Sequence, residues 1–340
     1  MNIIIIGLGS IGQRHLRNIY KIYGKKVNFY AVRQKFSSPN LSKFNKPLKS
    51  SIKKKYKIRY LNTLNEIKNL NVTFHSAFIC NPTSMHLENL IWFLKHNINV
   101  FIEKPISHNL RRILQLKKLI KKSNSITMMG YQYRFDPIIN FLKNENKIKN
   151  LIGNLNFVAI DHGEDVRNFH SWENYENSYT SKKKLGGGVT LCQIHEFEYF
   201  QNIFEKFKIK KFKSVITKTS SFNIDVDDTS SHIFLLTKNR LNVLCNINLN
   251  FYENPKNRTI KFVGEKGKII ADLNKKKIKV FNNEKIKNIK FRYNRNDLFL
   301  KEINYFFKII KEKNKNNKNS ATLGIKNLEF VYSLFKNAKN

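Results

Sequence analysis

Acidic side chains are scarce. The 340 residues hold 24 Asp and Glu against 63 Lys and Arg, a formal net charge of +39. Cysteine is scarcer still: Cys80, Cys192 and Cys245 form an odd, scattered set with no C-x-x-C spacing. That pattern excludes a disulfide framework and a zinc site, so no metal is expected, and a reducing cytoplasm is the expected location. No run approaches the roughly 20 apolar residues of a membrane span. The first residues also lack the basic n-region and small-residue cleavage site of an export signal, so neither membrane nor secretion is expected.

The basic excess raises the question of polyanions. Lysine is spread over the whole chain beside abundant Asn, Ile, Phe and Tyr, the residues an A/T-rich genome favours. The runs Lys53–Lys55, Lys182–Lys184 and Lys275–Lys277 fall in polar segments that read as solvated loops. There is no zinc-finger spacing, RNP-like aromatic segment or isolated recognition helix. Compositional drift is therefore the preferred reading and no specific nucleic-acid partner is expected; a non-specific pull on polyanions and a preference for an acidic substrate are the alternatives.

What is present is concentrated at the start, MNIIIIGLGSIGQRHLR. Ile3 to Ile6 are β-branched and apolar without alternation, as a parallel strand buried on both faces requires. They run into Gly7-Leu8-Gly9-Ser10-Ile11-Gly12, a G-x-G-x-x-G between strand and helix. Gly7 permits the tight turn, Gly9 lets a pyrophosphate approach the backbone, and Gly12 lets the helix pack closely on the strand. The helix then presents its free N–H groups to phosphate.

Ile11, Leu16, Ile19 and Tyr20 give that helix an apolar face, and Gly24 ends it. Strand two is Val27 to Val32. Beyond it an NAD site places an Asp or Glu on the ribose; here stand Arg33, Gln34 and Lys35, and Arg33 tilts the cofactor towards NADP over NAD. Ser37 to Lys57 reads as a loop insertion. A short helix over 64–70 leads to a strand at Phe74 to Ile79, closing at Asn81-Pro82-Thr83-Ser84-Met85-His86, where Thr83 or Ser84 can cap the next helix. Asn99 to Ile102 is a strand ending in Glu103-Lys104-Pro105, which sets Lys104 where an open α/β sheet binds ligands. Ser107 can cap a helix over 110–121, and a last strand, Ile126 to Met129, leads into Gly130-Tyr131-Gln132-Tyr133-Arg134-Phe135.

Residues 1–130 thus read as a doubly wound, dinucleotide-binding Rossmann domain, and 131–340 as a substrate-binding and oligomerisation α+β domain. The latter opens with one helix over 137–149. Alternating segments at 154–160, 212–218, 231–236, 241–249, 259–263 and 277–281 predict a largely antiparallel open sheet. Gly186-Gly187-Gly188 reads equally as a second phosphate loop or as the hinge of a flexible flap.

Taken together, the motifs resemble those of the Gfo/Idh/MocA family, whose members are similar to glucose-fructose oxidoreductase and inositol dehydrogenase. The matching pieces run GLGSIGQRH (7–15), NPTSMH (81–86), EKP (103–105), GYQYRF (130–135), LGGGVTLCQIHE (185–196), DVDDT (225–229) and GEKGKI (264–269). The resemblance implies hydride transfer between NAD or NADP and a hydroxyl or keto carbon of a sugar, amino sugar or nucleotide-linked sugar, in a homo-oligomer, with surface-glycan synthesis as one setting. It implies catalytic roles for Lys104, which stabilises a developing alkoxide, and His195, which accepts the hydroxyl proton. Cofactor contacts are expected from Gly7, Gly9, Ser10, Ile11, Gly12 and Arg33, from Asn81, Pro82, Thr83, His86, Glu103 and Lys104, and from Gln132 and Arg134. Tyr133, Trp172, Tyr179, Cys192 and His195 are expected on the substrate side. One departure stands out: many relatives carry an Asp one helical turn before the histidine, where this chain has Leu191 and Cys192. Glu196 and Glu198 are the candidates for the missing carboxylate. An inactive, cofactor-binding sensor or regulatory subunit of the same fold is the alternative function.

Overall fold

A computed structural model of the chain describes residues 1–33, 39–43, 45–170, 172–282 and 285–339. The isoleucine run is β1 (Asn2–Ile6). It pairs in parallel with β2 (Asn28–Val32), beyond which lies β3 (Arg59–Leu61), and on its other side with β4 (Ser76–Ile79), followed by β5 (Asn99–Ile102) and β6 (Thr127–Met129). The strand order is β3-β2-β1-β4-β5-β6. The direction of winding reverses between β1 and β4, which opens a crevice at their carboxyl ends. Helices α1 (Ser10–Tyr23), α2 (Ile52–Tyr56), α3 (Asn65–Lys68), α4 (His86–Lys95) and α5 (Ile113–Lys122) connect the strands. Ile3 and Ile5 pack with Leu16 and Ile19 of α1, while Ile4 and Ile6 join the opposite cluster with Leu90 and Leu94 of α4. A run without alternation is what two covered faces demand.

Several local expectations change. The 37–57 segment is not loop throughout: Ser51 Oγ accepts from Lys54 N at 3.4 Å to start α2. Gln34 and Lys35, beside Arg33, lie outside the described residues. Neither Thr83 nor Ser84 caps α4, because a 3-10 turn over Thr83–Met85 runs directly into it. Ser107 caps no helix; its Oγ accepts from Asn109 N at 3.3 Å, and α5 starts only at Ile113. The single helix expected over 137–149 is two, α6 (Pro137–Lys143) and α7 (Glu145–Ile152), because Asn144 leaves helical geometry and caps the second through Lys147 N.

The second sheet has eight strands: β7 (Leu155–Gly163), β8 (Lys208–Thr217), β9 (Thr229–Lys238), β10 (Leu241–Asn250), β11 (Asn257–Gly264), β12 (Gly267–Asp272), β13 (Lys277–Asn282) and β14 (Lys285–Lys290), in the order β14-β13-β12-β11-β7-β10-β9-β8. It is antiparallel except where β7 meets β10. One face packs on α8 (Val189–Cys192) and α9 (Ile194–Ile203), through residues such as Phe197 and Phe200 against Phe234 and Phe262.

Of two further helices, α10 (Arg295–Lys311) returns to the first sheet, and α11 (Ala321–Asn337) lies between β6 of the first sheet and β8 and α9 of the second half of the chain. Ile303, Phe306 and Ile309 of α10 pack with Ile3, Ile5, Phe78 and Phe101. At the edge strand, Met129 N donates to Asn319 O at 2.6 Å and Asn317 Nδ2 to Thr127 O at 3.0 Å. Residues 295–311 therefore follow the second sheet in sequence and complete the first in space.

Candidate active site

Gly7 adopts φ +89°, and a Cβ there would stand 2.7 Å from Asn81 N. At Gly12 a Cβ would overlap the carbonyl oxygen of Gly7. Sequence and geometry agree on both: the first glycine makes the turn and the third seats α1 against it. Gly9 is the N-cap of α1, and no side chain caps the helix there, so its first N–H groups face the crevice. A shallow cradle with unclaimed donors and the positive end of a helix fits the pyrophosphate of a dinucleotide. Beneath it, buried His15 holds Glu103 through Nε2 at 2.7 Å from Oε1.

The cradle opens into a cleft of about 600 Å³ between the two sheets. Gly7, Gly9, Ser10, Ile11, Arg33, Asn81, Pro82, Thr83, His86, Glu103, Lys104 and Gln132 all line it, as do Tyr133, Trp172, Tyr179, Cys192 and His195. Gly12 supports the cradle from below. Arg134 does not line the cleft: it pairs with Glu198 and donates to Lys318 O at 3.0 Å. Arg33 holds its guanidinium over the ring of Tyr60, 5.9 Å from the centroid. His86 lies between the carbonyls of Pro105 and Asn81, at 2.6 and 2.7 Å, tying the 81–86 turn to the end of β5.

Lys104 leaves the end of β5, and its Nζ donates to the main-chain carbonyl of Cys192 at 2.6 Å. Burial lowers its pKa, while the neighbouring carboxyl groups of Glu103 and Glu196 work the other way. His195, on the first turn of α9, is 4% exposed, and the rings of Tyr133 and Tyr131 meet it edge-on at 5.1 and 6.2 Å. Burial first, then the charges of Lys104 and Arg295, push its pKa well below the ordinary value. The ring is therefore neutral near pH 7 and able to accept a proton. Burial pushes the Cys192 thiol up to about 12, so it carries no negative charge.

The carboxylates offered as substitutes are both engaged. Glu198 is tied to Arg134, and Glu196, fully buried, lies 2.9 Å from Nε of Arg258. At the Gly186 to Gly188 triplet a Cβ at Gly186 would stand 2.6 Å from that of His108, and one at Gly188 would strike Asp227. The triplet is packed, and α8 behind it is only one turn long.

Arg258 was not foreseen. Its guanidinium donates to Tyr133 Oη, to His162 Nε2 at 2.7 Å and to Gln193 Oε1 at 3.3 Å, linking three cleft residues. His162 Nδ1 lies 2.7 Å from Asn257 O, which leaves Nε2 as the acceptor. The signal was in the strand: Arg258 shares the inward face of β11 with Ile260 and Phe262, and an arginine on an apolar face needs a partner network. Among the described residues no group of three or more His, Cys, Asp or Glu is placed to hold a metal, and no helix is long and apolar enough to cross a membrane.

A Rossmann sheet with a glycine cradle, opening on a cleft lined by a lysine and a neutral histidine, is the arrangement of a nicotinamide-dependent oxidoreductase. Residues 1–131 match the Gfo/Idh/MocA model, described as an oxidoreductase family with an NAD-binding Rossmann fold. Myo-inositol 2-dehydrogenase of Thermotoga maritima is 26% identical over 276 residues, covering 80% of this chain and 75% of that protein. Among solved structures, levoglucosan dehydrogenase in complex with NADH superposes with a TM-score of 0.78 at 15% identity, covering 100% of this chain and 97% of that one. Myo-inositol 2-dehydrogenase from Lactobacillus plantarum gives 0.75 at 16%, covering 100% and 97%. At these identities the structural likeness shows the shared fold.

Proposed function

We propose that the chain transfers a hydride between a nicotinamide cofactor and a hydroxyl or keto carbon of a sugar, amino sugar or nucleotide-linked sugar. The observation that carries this reading is the presence of Lys104 and His195 in the same cleft as the glycine cradle. When bound, the nicotinamide supplies the hydride acceptor or donor. Neutral His195 accepts the proton of the substrate hydroxyl, and returns it when the reaction runs towards the alcohol. The ammonium of Lys104, aimed by the Cys192 carbonyl, stabilises the negative charge that develops on the reacting oxygen. Trp172 and Tyr179 offer aromatic faces to a sugar ring. Dehydrogenases for inositol and levoglucosan among the similar proteins support a polyhydroxylated substrate.

A lean towards NADP rests on Arg33, whose guanidinium over Tyr60 suits a ribose 2′-phosphate. Self-association through the second sheet is supported by Val215, Ile233 and Leu244, which are exposed on its open face. Titration with NADH and NADPH, followed by turnover of a sugar panel, tests the function. Lys104→Ala and His195→Ala are expected to cut the rate at least a hundredfold. Failure to bind either nucleotide would overturn the proposal. Nucleotide binding without turnover would favour the sensor reading, which the absence of a carboxylate at Cys192 motivates.

A further inference from the structure

A general base works only when its ring is aimed, and the usual means is a third group hydrogen-bonded to the nitrogen that faces away from the substrate. His195 lacks one: its Nδ1 is buried and has no hydrogen-bond partner among the described residues. What the imidazole does have is a wall. The ring of Tyr133 meets it edge-on, with 5.1 Å between centroids and 78° between planes, and is itself buried. A ring packed in this way is fixed only as firmly as the neighbour that it rests against.

Arg258 holds that neighbour. Its guanidinium donates to Tyr133 Oη and also covers the Tyr133 ring, 4.8 Å from guanidinium carbon to centroid. It donates to Gln193 Oε1 at 3.3 Å, two residues before His195, and its Nε lies 2.9 Å from Oε1 of Glu196, one residue after it. One side chain therefore grips the start of α9 on both sides of the base, together with the wall that the base rests on. His162 Nε2 accepts from the same guanidinium at 2.7 Å, and His162 Nδ1, 2.7 Å from Asn257 O, ties that ring back to β11, the strand that carries Arg258. The set is closed to water: Arg258 is 9% exposed and Glu196 is fully buried.

We propose that Arg258 is the positioning residue for His195: through Tyr133, Gln193 and Glu196 it aims an imidazole that has no polar partner of its own, the part that a carboxylate plays behind other catalytic histidines. The inference rests on the oxidoreductase reading and deepens it. Arg258 needs no contact with substrate or cofactor for this task. Its planar fork makes all of these contacts at once, so lysine, a point charge on a flexible stem, keeps a positive charge near Glu196 but does not hold Tyr133, His162 and Gln193 together. A base that has lost its aim slows the chemical step. Nucleotide affinity is left alone, because the glycine cradle stands on other elements, β1 and α1.

The test is NMR of the NADH-loaded full chain carrying nitrogen-15 histidine, with the His195 ring signals assigned by their loss in His195→Ala. No sugar is present, so a lost substrate contact cannot produce the effect. The parent is expected to give one set of His195 signals. In Arg258→Lys those signals should broaden or split while the dissociation constant for NADH stays within about twofold; in turnover of a sugar that the parent oxidises, kcat should fall about tenfold or more with KM changed less than about threefold. Tyr133→Phe keeps the ring and removes only the hydroxyl that Arg258 holds, and it should disturb His195 in the same direction; if Arg258→Lys does not fold, this variant decides. The double variant Arg258→Met with Glu196→Gln removes both charges together, so no lone charge stays buried, and His195 should remain disturbed in it. Unmoved His195 signals in Arg258→Lys, or recovery of the parent's signals in the double variant, would overturn the proposal, the second by showing that Arg258 only neutralises Glu196. A parent that binds no NADH strikes the underlying function, whereas NADH binding with an undisturbed His195 strikes only this inference.

Discussion

The ammonium of Lys104 and the main-chain carbonyl of Cys192 are joined by a 2.6 Å hydrogen bond that spans 88 residues of sequence. The lysine is aimed by backbone, so the side chain at position 192 is free to vary without releasing it. Cys192→Ser is expected to keep kcat/KM within about threefold of the parent, the scale of a small change that leaves the reacting groups in place. A loss greater than tenfold in steady-state kinetics would assign the thiol itself a part in the reaction.

Gly7 tolerates no side chain, on two independent grounds. Its φ of +89° disfavours any L-residue, and the space a Cβ needs is taken by the backbone of Asn81. Gly7→Ala should weaken NADH binding at least tenfold and lower stability by about 1–3 kcal/mol. Fluorescence titration and thermal melting check the two effects separately. Unaltered affinity would mean that the cradle does not hold the nucleotide.

The acid limb of activity follows from His195. Only the neutral ring accepts a proton, so the rate of alcohol oxidation falls as pH drops through its pKa. Burial, then the positive charges of Lys104 and Arg295, lower that pKa, which moves the limb below the unperturbed value of about 6.5. A kcat/KM profile for the oxidation direction should stay flat at pH 6.5, and Arg295→Ala should shift the limb upwards. An acid limb above pH 7 would remove His195 as the base.

Glu302 is a liability at neutral pH. It is fully buried on α10, neither carboxyl oxygen has a hydrogen-bond partner among the described residues, and burial holds its pKa well above the usual range. The folded state binds a proton that the unfolded state releases above about pH 4.3, so stability contributed at this position falls as pH rises from there towards the folded value. Glu302→Gln removes that dependence. Its gain should be near zero around pH 4 and reach about 1–3 kcal/mol at pH 8, the cost of burying an unsatisfied polar group. Denaturant melts at the two pH values decide it; a gain independent of pH would refute the titration.

The parts of the fold that could be read in advance are those whose signal is local. Ile3–Ile6 with Gly7, Gly9 and Gly12 specify strand, turn and helix within a dozen residues. Lys104 was placed by standing at a strand end next to a proline, whereas His195 came only with the motif around it. Arg258 was missed because its meaning lies in partners far away in sequence, Tyr133, His162 and Glu196. Likewise Arg134 looked like a cofactor contact within its motif, and only Glu198, on a different helix, turns it from the cleft. The helices over 295–337 went unforeseen although their apolar residues recur at helical spacing; the return of α10 to the first sheet has no local signature.

That destination affects how the protein is made. Strands β1, β4, β5 and β6 leave the ribosome early, yet Ile5, Phe78 and Phe101 meet Phe306 only after the whole second sheet has been synthesised. At elongation rates of about 5–20 residues per second, the interval is on the order of ten seconds or more. Throughout it the nascent N-terminal sheet exposes the apolar flank that α10 later covers.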